Sequence, residues 1–152
     1  TSPIVWGGVG TDAQHAVFQL LHQGTVPVPV EFVAVRAGDD EQDPERHVLL
    51  LINAFAQGAA LMDGRESGDP ARAEPGNRPS ATILLDALDP RSLGALIAFY
   101  EHRTFANAML CGINPFDQFG VELGKDVARR LADGESGSLD RSTRALIARA
   151  GL

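Results

Sequence analysis

The chain has one cysteine, one tryptophan and one tyrosine among its 152 residues. The lone thiol, Cys111, has nothing to pair with inside the chain, so no internal disulfide framework is available and a reducing, cytoplasmic compartment is expected. No apolar run approaches the roughly 18 residues a membrane-spanning helix needs, and the longest, such as Leu93 to Tyr100, stop well short, so no membrane partner is expected. Basic residues are the minority, 13 against 20 acidic for a net charge of −7, and they form no block, which argues against nucleic acid as a partner. The start of the chain carries neither an initiator methionine nor a signal-peptide pattern. Instead Thr1 to Trp6, with its apolar run Ile4 to Trp6, reads as a strand entered abruptly, which predicts a piece of a longer protein.

What is present is ordinary globular composition, with 44% hydrophobic and 22% charged residues. That suits one domain or part of a larger one. No repeat or low-complexity tract interrupts it. After Gly7-Gly8-Val9-Gly10, a helix is expected from Thr11 to Gln23, opened by a Thr11/Gln14 capping box and ended by Gly24 in a left-handed turn. Val30 to Val35 is rich in β-branched residues and predicts a buried strand. Asp43-Pro44 starts a second helix, with Val48, Leu51, Ile52, Phe55 and Ala59 as its apolar face. A loop from Asp63 to Pro79 precedes a strand, Ala81 to Leu85. Asp89-Pro90 opens a third helix, and Ala108 to Cys111 reads as a further short strand. Phe116, Phe119, Leu123, Val127 and Leu131 mark a helix beginning near Phe116, and Asp140 to Ala150 a terminal one. The alternation predicts α/β with a short, mainly parallel sheet of three or four strands. Residues 1–132 are expected to form the main unit and 133–152 a linker and helix.

Three groups could carry chemistry. His15, Gln19 and His22 fall on one face of the first helix, opposite Ala13, Val17, Leu20 and Leu21. Imidazoles exchange protons near neutral pH, so this stripe is either a solvated face or an acid–base site. No carboxylate or cysteine joins the histidines at ligand spacing, so no metal is expected. Gly8, Gly10 and Ala13 match G-x-G-x-x-A, with Glu31 about 20 residues on, the outline of a dinucleotide turn. Asp12 puts a negative charge where the phosphates belong. Gln118 and Lys125, seven apart, share a helix face near Glu122, and the lysine is either a cation for a substrate oxygen or half of a surface pair. His47 and His102 read as surface or structural residues, Cys111 as core, and Arg78 as a loop anchor ahead of an anion site.

Two segments together point further. Gly10-Thr11-Asp12-Ala13-Gln14-His15 through Leu21-His22-Gln23-Gly24-Thr25, and Phe116-Asp117-Gln118-Phe119-Gly120-Val121-Glu122-Leu123-Gly124-Lys125, resemble the glucose-6-phosphate isomerase family. Gly76-Asn77-Arg78-Pro79-Ser80 and Leu93 through His102 resemble it too, in the right order. The resemblance implies sugar-isomerase (SIS-type) α/β domains, here incomplete with a three-layer plan. It also implies interconversion of glucose 6-phosphate and fructose 6-phosphate in glycolysis and gluconeogenesis, through ring opening and a cis-enediol, with no metal or cofactor. His22 then corresponds to the ring-opening histidine, acting in the partner subunit of a homodimer. Lys125 corresponds to the catalytic lysine and Gln118 to a substrate-binding glutamine. Family members are several times longer. Their catalytic glutamate lies upstream of the Pro3-Ile4-Val5-Trp6-Gly7 stretch and their phosphate-binding loop lies in another domain, so the chain is expected to be a C-terminal part, inactive alone. Cys111 stands where many relatives have tryptophan, and the Asp63 to Pro79 loop is short. An incomplete sheet is expected to expose apolar surface. Two other readings remain: a non-catalytic sugar-phosphate-binding or interaction module, and a dinucleotide-binding domain through Gly8–Ala13.

Overall fold

The computed structural model describes residues 5–38, 43–134, 137 and 139–151. In order these form α1 (Gly10–Gln23), β1 (Val30–Val35), α2 (Pro44–Asp63), β2 (Ser80–Leu85), α3 (Pro90–Cys111), α4 (Phe119–Ala132) and α5 (Arg141–Ala150), with a single 3-10 turn at Pro70–Arg72. The chain divides into two compact units, residues 1–104 and 105–152, with the boundary inside α3.

In the first unit β1 and β2 pair in parallel, Val30 opposite Ser80 through Val35 opposite Leu85. The parallel direction requires a crossover, and α2 supplies it, packing on both strands and touching α1. Among the described residues the sheet has two strands, fewer than the alternation predicts. The expected strand at Ala108 to Cys111 is instead the last turn of α3, because the helical run from Pro90 continues unbroken to Cys111. Val5 and Trp6 belong to no strand, and Ile4 lies outside the described residues.

Three helix starts follow the Asp-first logic. Asp43 Oδ1 accepts from the Glu45 N–H at 3.0 Å, ahead of Pro44. Asp89 Oδ1 accepts from the Ser92 N–H at 2.6 Å, and Asp140 Oδ1 from the Thr143 N–H at 3.0 Å. Each satisfies a backbone donor that the first helical turn leaves open. The expected Thr11/Gln14 box does not form. Val9 occupies the cap position without a side-chain bond, so Thr11 is already inside α1.

The apolar face of α2 is not the one its large residues suggest. Val48, Ile52 and Phe55 are about half exposed, while Leu61 is fully buried. Leu51, Ala54, Gly58 and Leu61 recur at helical spacing on the inward side. A Cβ on Gly58 would sit 3.8 Å from the Phe32 ring and 3.9 Å from Ser80 Oγ, so a small residue lets the sheet approach. Among the described residues only Leu21, Ala34, Leu61, Gly76 and Ala108 are buried. The expected exposure of apolar surface is present throughout, from Val5 to Leu146.

After α2 the backbone crosses itself. A Cβ on Gly64 would lie 2.3 Å from the Glu74 carbonyl oxygen, and one on Gly76 would lie 2.7 Å from that of Asp63. Both glycines have positive φ, and Asn77 beside them has φ 49°. Reciprocal hydrogen bonds between Arg65 and Glu74 close the loop. Only glycine fits both the conformation and the approach.

Gly64→Ala and Gly76→Ala should each lower stability by more than about 1 kcal/mol, whereas Gly68→Ala, whose added methyl meets open space, should stay within about 0.5 kcal/mol of the parent. Urea denaturation of the three variants checks this. The caps carry a pH dependence. Hydrogen bonds from Ser92, its N–H first, hold the Asp89 carboxyl below its ordinary pKa, and the Thr143 hydroxyl and then its N–H do the same for Asp140. A lowered folded pKa adds stability that is complete above the unfolded aspartate value, about 3.9, and fades as pH falls through the folded value. Asp140→Asn should therefore flatten the acid limb of a denaturation-midpoint profile below about pH 5.

Candidate functional site

Four side-chain hydrogen bonds that each span about 50 residues or more meet at the end of α1. Leu21 is buried and His22 and Gln23 are half-buried, whereas His15 and Gln19 on the expected stripe are exposed. The stripe therefore splits. Gln19 donates to Gln23, and Gln14 Nε2 lies 3.4 Å from His15 Nε2, so the upper residues are tied to the helix itself. Leu20, expected on the sheltered side, is 56% exposed.

His22 is held from three directions. Its ring packs against Phe18, centroids 6.3 Å apart, and Phe18 packs in turn on Phe32 of β1 at 6.4 Å. Arg78 Nε donates to the His22 carbonyl at 2.9 Å, and the Arg78 NH2 group donates to the Gly24 carbonyl at 3.0 Å. Gln23 Nε2 donates to the carbonyls of Ala73 at 2.8 Å and Ala71 at 3.2 Å. Nδ1 of His22 is buried and has no hydrogen-bond partner among the described residues. Gly24 does end α1, but in extended backbone with φ −60°. Glycine is needed there because a Cβ would strike the Leu20 carbonyl oxygen at 2.3 Å, not because the turn is left-handed.

Arg78 is thus the expected loop anchor, with its guanidinium turned to backbone carbonyls. Gln23 is a contact that helical spacing alone does not reveal, since its partners lie about 50 residues on. Only the Gly-Asn-Arg-Pro run hinted at the turn that brings them together.

In the second unit, Gln118 sits at the N-cap of α4 rather than within it, its carbonyl accepting from the N–H groups of Val121 at 2.8 Å and Glu122 at 3.3 Å. Its side chain makes no capping bond and is exposed. Lys125 follows two turns later on the same side. The alternative surface pair with Glu122 is absent: among the described residues Lys125 has no ion-pair partner, while Asp126 pairs with Arg129 at 3.0 Å. Phe116, expected within this helix, precedes it and packs on Phe105 at 6.1 Å. An Asx turn, Asn114 Oδ1 accepting from the Phe116 N–H at 3.0 Å, starts a non-helical segment there. The arrangement offers an uncommitted ammonium and an uncommitted carboxamide on one helix face, and separately a histidine on a rigid turn.

Residues 1–147 match the family model described as phosphoglucose isomerase. The chain belongs to this family. A glucose-6-phosphate isomerase from Rhizorhabdus wittichii is 71% identical over 150 residues, which is 99% of this chain and 30% of that protein. The one from Zymomonas mobilis is 66% identical over 148 residues, 97% of this chain and 29% of that protein. A crystal structure of a glucose-6-phosphate isomerase from Chlamydia trachomatis superposes with a TM-score of 0.84 at 39% identity, covering 99% of this chain and 30% of that one. The chain thus spans about 30% of the length of the phosphoglucose isomerase relatives it matches.

The other motifs fare differently. His47 is structural, its ring Nε2 3.2 Å from the Arg36 carbonyl at the end of β1. His102 is exposed and Cys111 half-buried. Among the described residues no group of three His, Cys, Asp or Glu side chains could hold a metal, and no helix is long and apolar enough to cross a membrane. The dinucleotide reading through Gly8, Gly10 and Ala13 gains no support. No strand leads from the described residues into the glycines, whose added Cβ atoms would meet open space. Glu31, which would have to hold a ribose, is engaged by Tyr100 and by Arg103 at 2.8 Å, and its bond raises the Tyr100 pKa above the ordinary value. Titration of NAD or NADP into the protein should give no binding heat in a calorimeter, and a saturable isotherm would reinstate that reading.

Proposed function

We propose that this chain is the C-terminal part of a glucose-6-phosphate isomerase, interconverting glucose 6-phosphate and fructose 6-phosphate. The observation that carries this reading is the match to the family over residues 1–147, which includes both segments bearing His22, Gln118 and Lys125. The chemistry is an internal redox exchange: the carbonyl at C1 is reduced while the hydroxyl-bearing C2 is oxidised. Electrons balance within one molecule, so no cofactor is needed. His22 gives a proton to the ring oxygen as the ring opens and takes it back on closure. Lys125, a compact cation, stabilises negative charge developing on that oxygen, and Gln118 binds substrate hydroxyls. The base that moves the proton between C2 and C1 is a glutamate outside this chain. His22 serves the site of the partner subunit in a homodimer. The fold is part of a sugar-isomerase (SIS-type) domain, residues 1–132 forming the domain part and 133–152 the linker and last helix. Its place is glycolysis and gluconeogenesis in the cytoplasm, where charged sugar phosphates are made and retained.

The full-length protein carrying this chain should put deuterium from D₂O into C1 of fructose 6-phosphate and C2 of glucose 6-phosphate, and the isolated 152-residue chain should not. Exchange by the isolated chain at its 16.1 kDa mass would show that it supplies its own base. In the full-length protein His22→Ala should lower turnover about 10²- to 10⁴-fold, and Lys125→Ala about 10²- to 10³-fold. Mixing the two inactive variants tests the shared site. If His22 acts across the dimer, the mixed dimer regains one intact site, whereas a histidine acting in its own subunit leaves both dead. Binding of fructose 6-phosphate without any turnover would favour the non-catalytic module.

A further inference from the structure

We infer that Arg78, seconded by Gln23, is the positioning residue for His22: it sets where the imidazole stands by gripping the backbone on either side of it. The inference rests on the catalytic reading of His22 given above, and deepens it.

The grip has an unusual form. Imidazoles that move protons are commonly oriented through a hydrogen bond to the second ring nitrogen. Here Nδ1 of His22 is buried and has no partner, so among the described residues no polar side chain steers the ring through that nitrogen. What fixes it is the backbone that carries it. The guanidinium spans two acceptors, the carbonyls of His22 and Gly24, with Nε at 2.9 Å and the NH2 group at 3.0 Å. These carbonyls belong to the last turn of α1 and the residue after it, where no helical N–H follows to satisfy them. A planar guanidinium reaches both at once, and an ammonium, as a single point donor, does not match that fork.

The anchor itself is rigid. The Arg78 N–H donates to the Leu61 carbonyl at 3.0 Å and the Asn77 N–H to the Met62 carbonyl at 2.7 Å, so the residue is fastened to the end of α2. Leu61 is fully buried. The Gly64–Gly76 crossing locks the loop just before it. Gln23 adds a second latch one residue past His22, donating to Ala73 and Ala71 of the same loop. A chain of fixed contacts therefore runs from the core of α2 to the imidazole. Rotation of the helix end by an ångström would move the ring by a similar distance, and misplacement on that scale costs about 100-fold in rate.

The test is a double-mutant cycle in the full-length protein that carries this chain, with kcat and KM for fructose 6-phosphate as the readout. Arg78→Ala should lower kcat about 10- to 100-fold with KM little changed. In a His22→Ala background the same substitution should cost less than about 2-fold, because the group it positions is gone. Arg78→Lys should fall between, and Gln23→Leu should lower kcat in the same direction with the same dependence on His22. A loss that is equal in both backgrounds, with the fold intact by circular dichroism, overturns the inference, as does an Arg78→Ala enzyme of full kcat. If Arg78→Ala does not fold, Arg78→Lys and Gln23→Leu run the same cycle and decide by the same criterion. The catalytic reading fails separately, and first: a His22→Ala enzyme of full activity removes that reading, and this inference with it, before any Arg78 variant is measured.

Discussion

The first unit depends on one guanidinium closing a gap of more than 50 residues in the chain. Arg78 reaches from the loop after α2 to the end of α1, and its two bonds go to backbone carbonyls. A bond to backbone constrains position regardless of side-chain identity at the acceptor, so the clamp acts on the course of the chain itself. It also resolves a local problem. The C-terminal carbonyls of a helix must find donors, and α1 ends without the left-handed cap that usually supplies them. Arg78 is half-buried, so its charge-assisted bonds are partly shielded from water and outweigh a surface pair such as Arg36–Asp86, whose side chains are mostly exposed.

Part of what makes the clamp rigid lies on α2, whose last carbonyls, at Leu61 and Met62, hold the backbone of Arg78 and Asn77. Its inward face is narrow and made of small and medium residues, which lets both strands lie close and leaves Leu61 with no exposed surface at all. Its outward face keeps Val48, Ile52 and Phe55 about half exposed. A helix apolar on both sides has more than one surface to satisfy. In a chain covering about 30% of the length of its relatives, the contacts described here account for one of them.

Local signals were the legible part of the sequence. The strands at Val30–Val35 and Ser80–Leu85 and the helices opened at Asp43 and Asp89 stand where β-branched runs and Asp-Pro pairs place them, because those preferences act within a few residues. The inward face of α2 was misread because large residues dominate an apolar pattern, while steric approach is decided by the small ones. The strand expected at Ala108 to Cys111 failed for a related reason: four apolar residues fit either state, and the helix already running through them decides. Gln118 was placed within α4, yet it caps it, a shift of the sort that helix ends admit. His22, Gln118 and Lys125 could be singled out from spacing and from resemblance. The partners that hold His22 could not, since Gln23 to Ala73 and Arg78 to Gly24 are contacts between segments with no shared periodicity.

The split of the histidine stripe on α1 shows why spacing alone underdetermines a site. His15, Gln19 and His22 have equal claims on a helical wheel. Their environments differ because only the last turn of α1 is met by the loop, through Gln23 and Arg78, and by Phe18 stacked on β1. His15 is exposed, with the neighbouring Gln14 side chain near its ring nitrogen. An exposed imidazole samples many rotamers, and proton transfer needs one geometry, so fixing the ring removes entropy that would otherwise be lost at the moment of reaction. The useful asymmetry between two chemically identical side chains therefore comes from the Gly64–Gly76 crossing and the arginine it presents. The two imidazoles are chemically alike, and residues more than 40 positions away decide which of them is held in place.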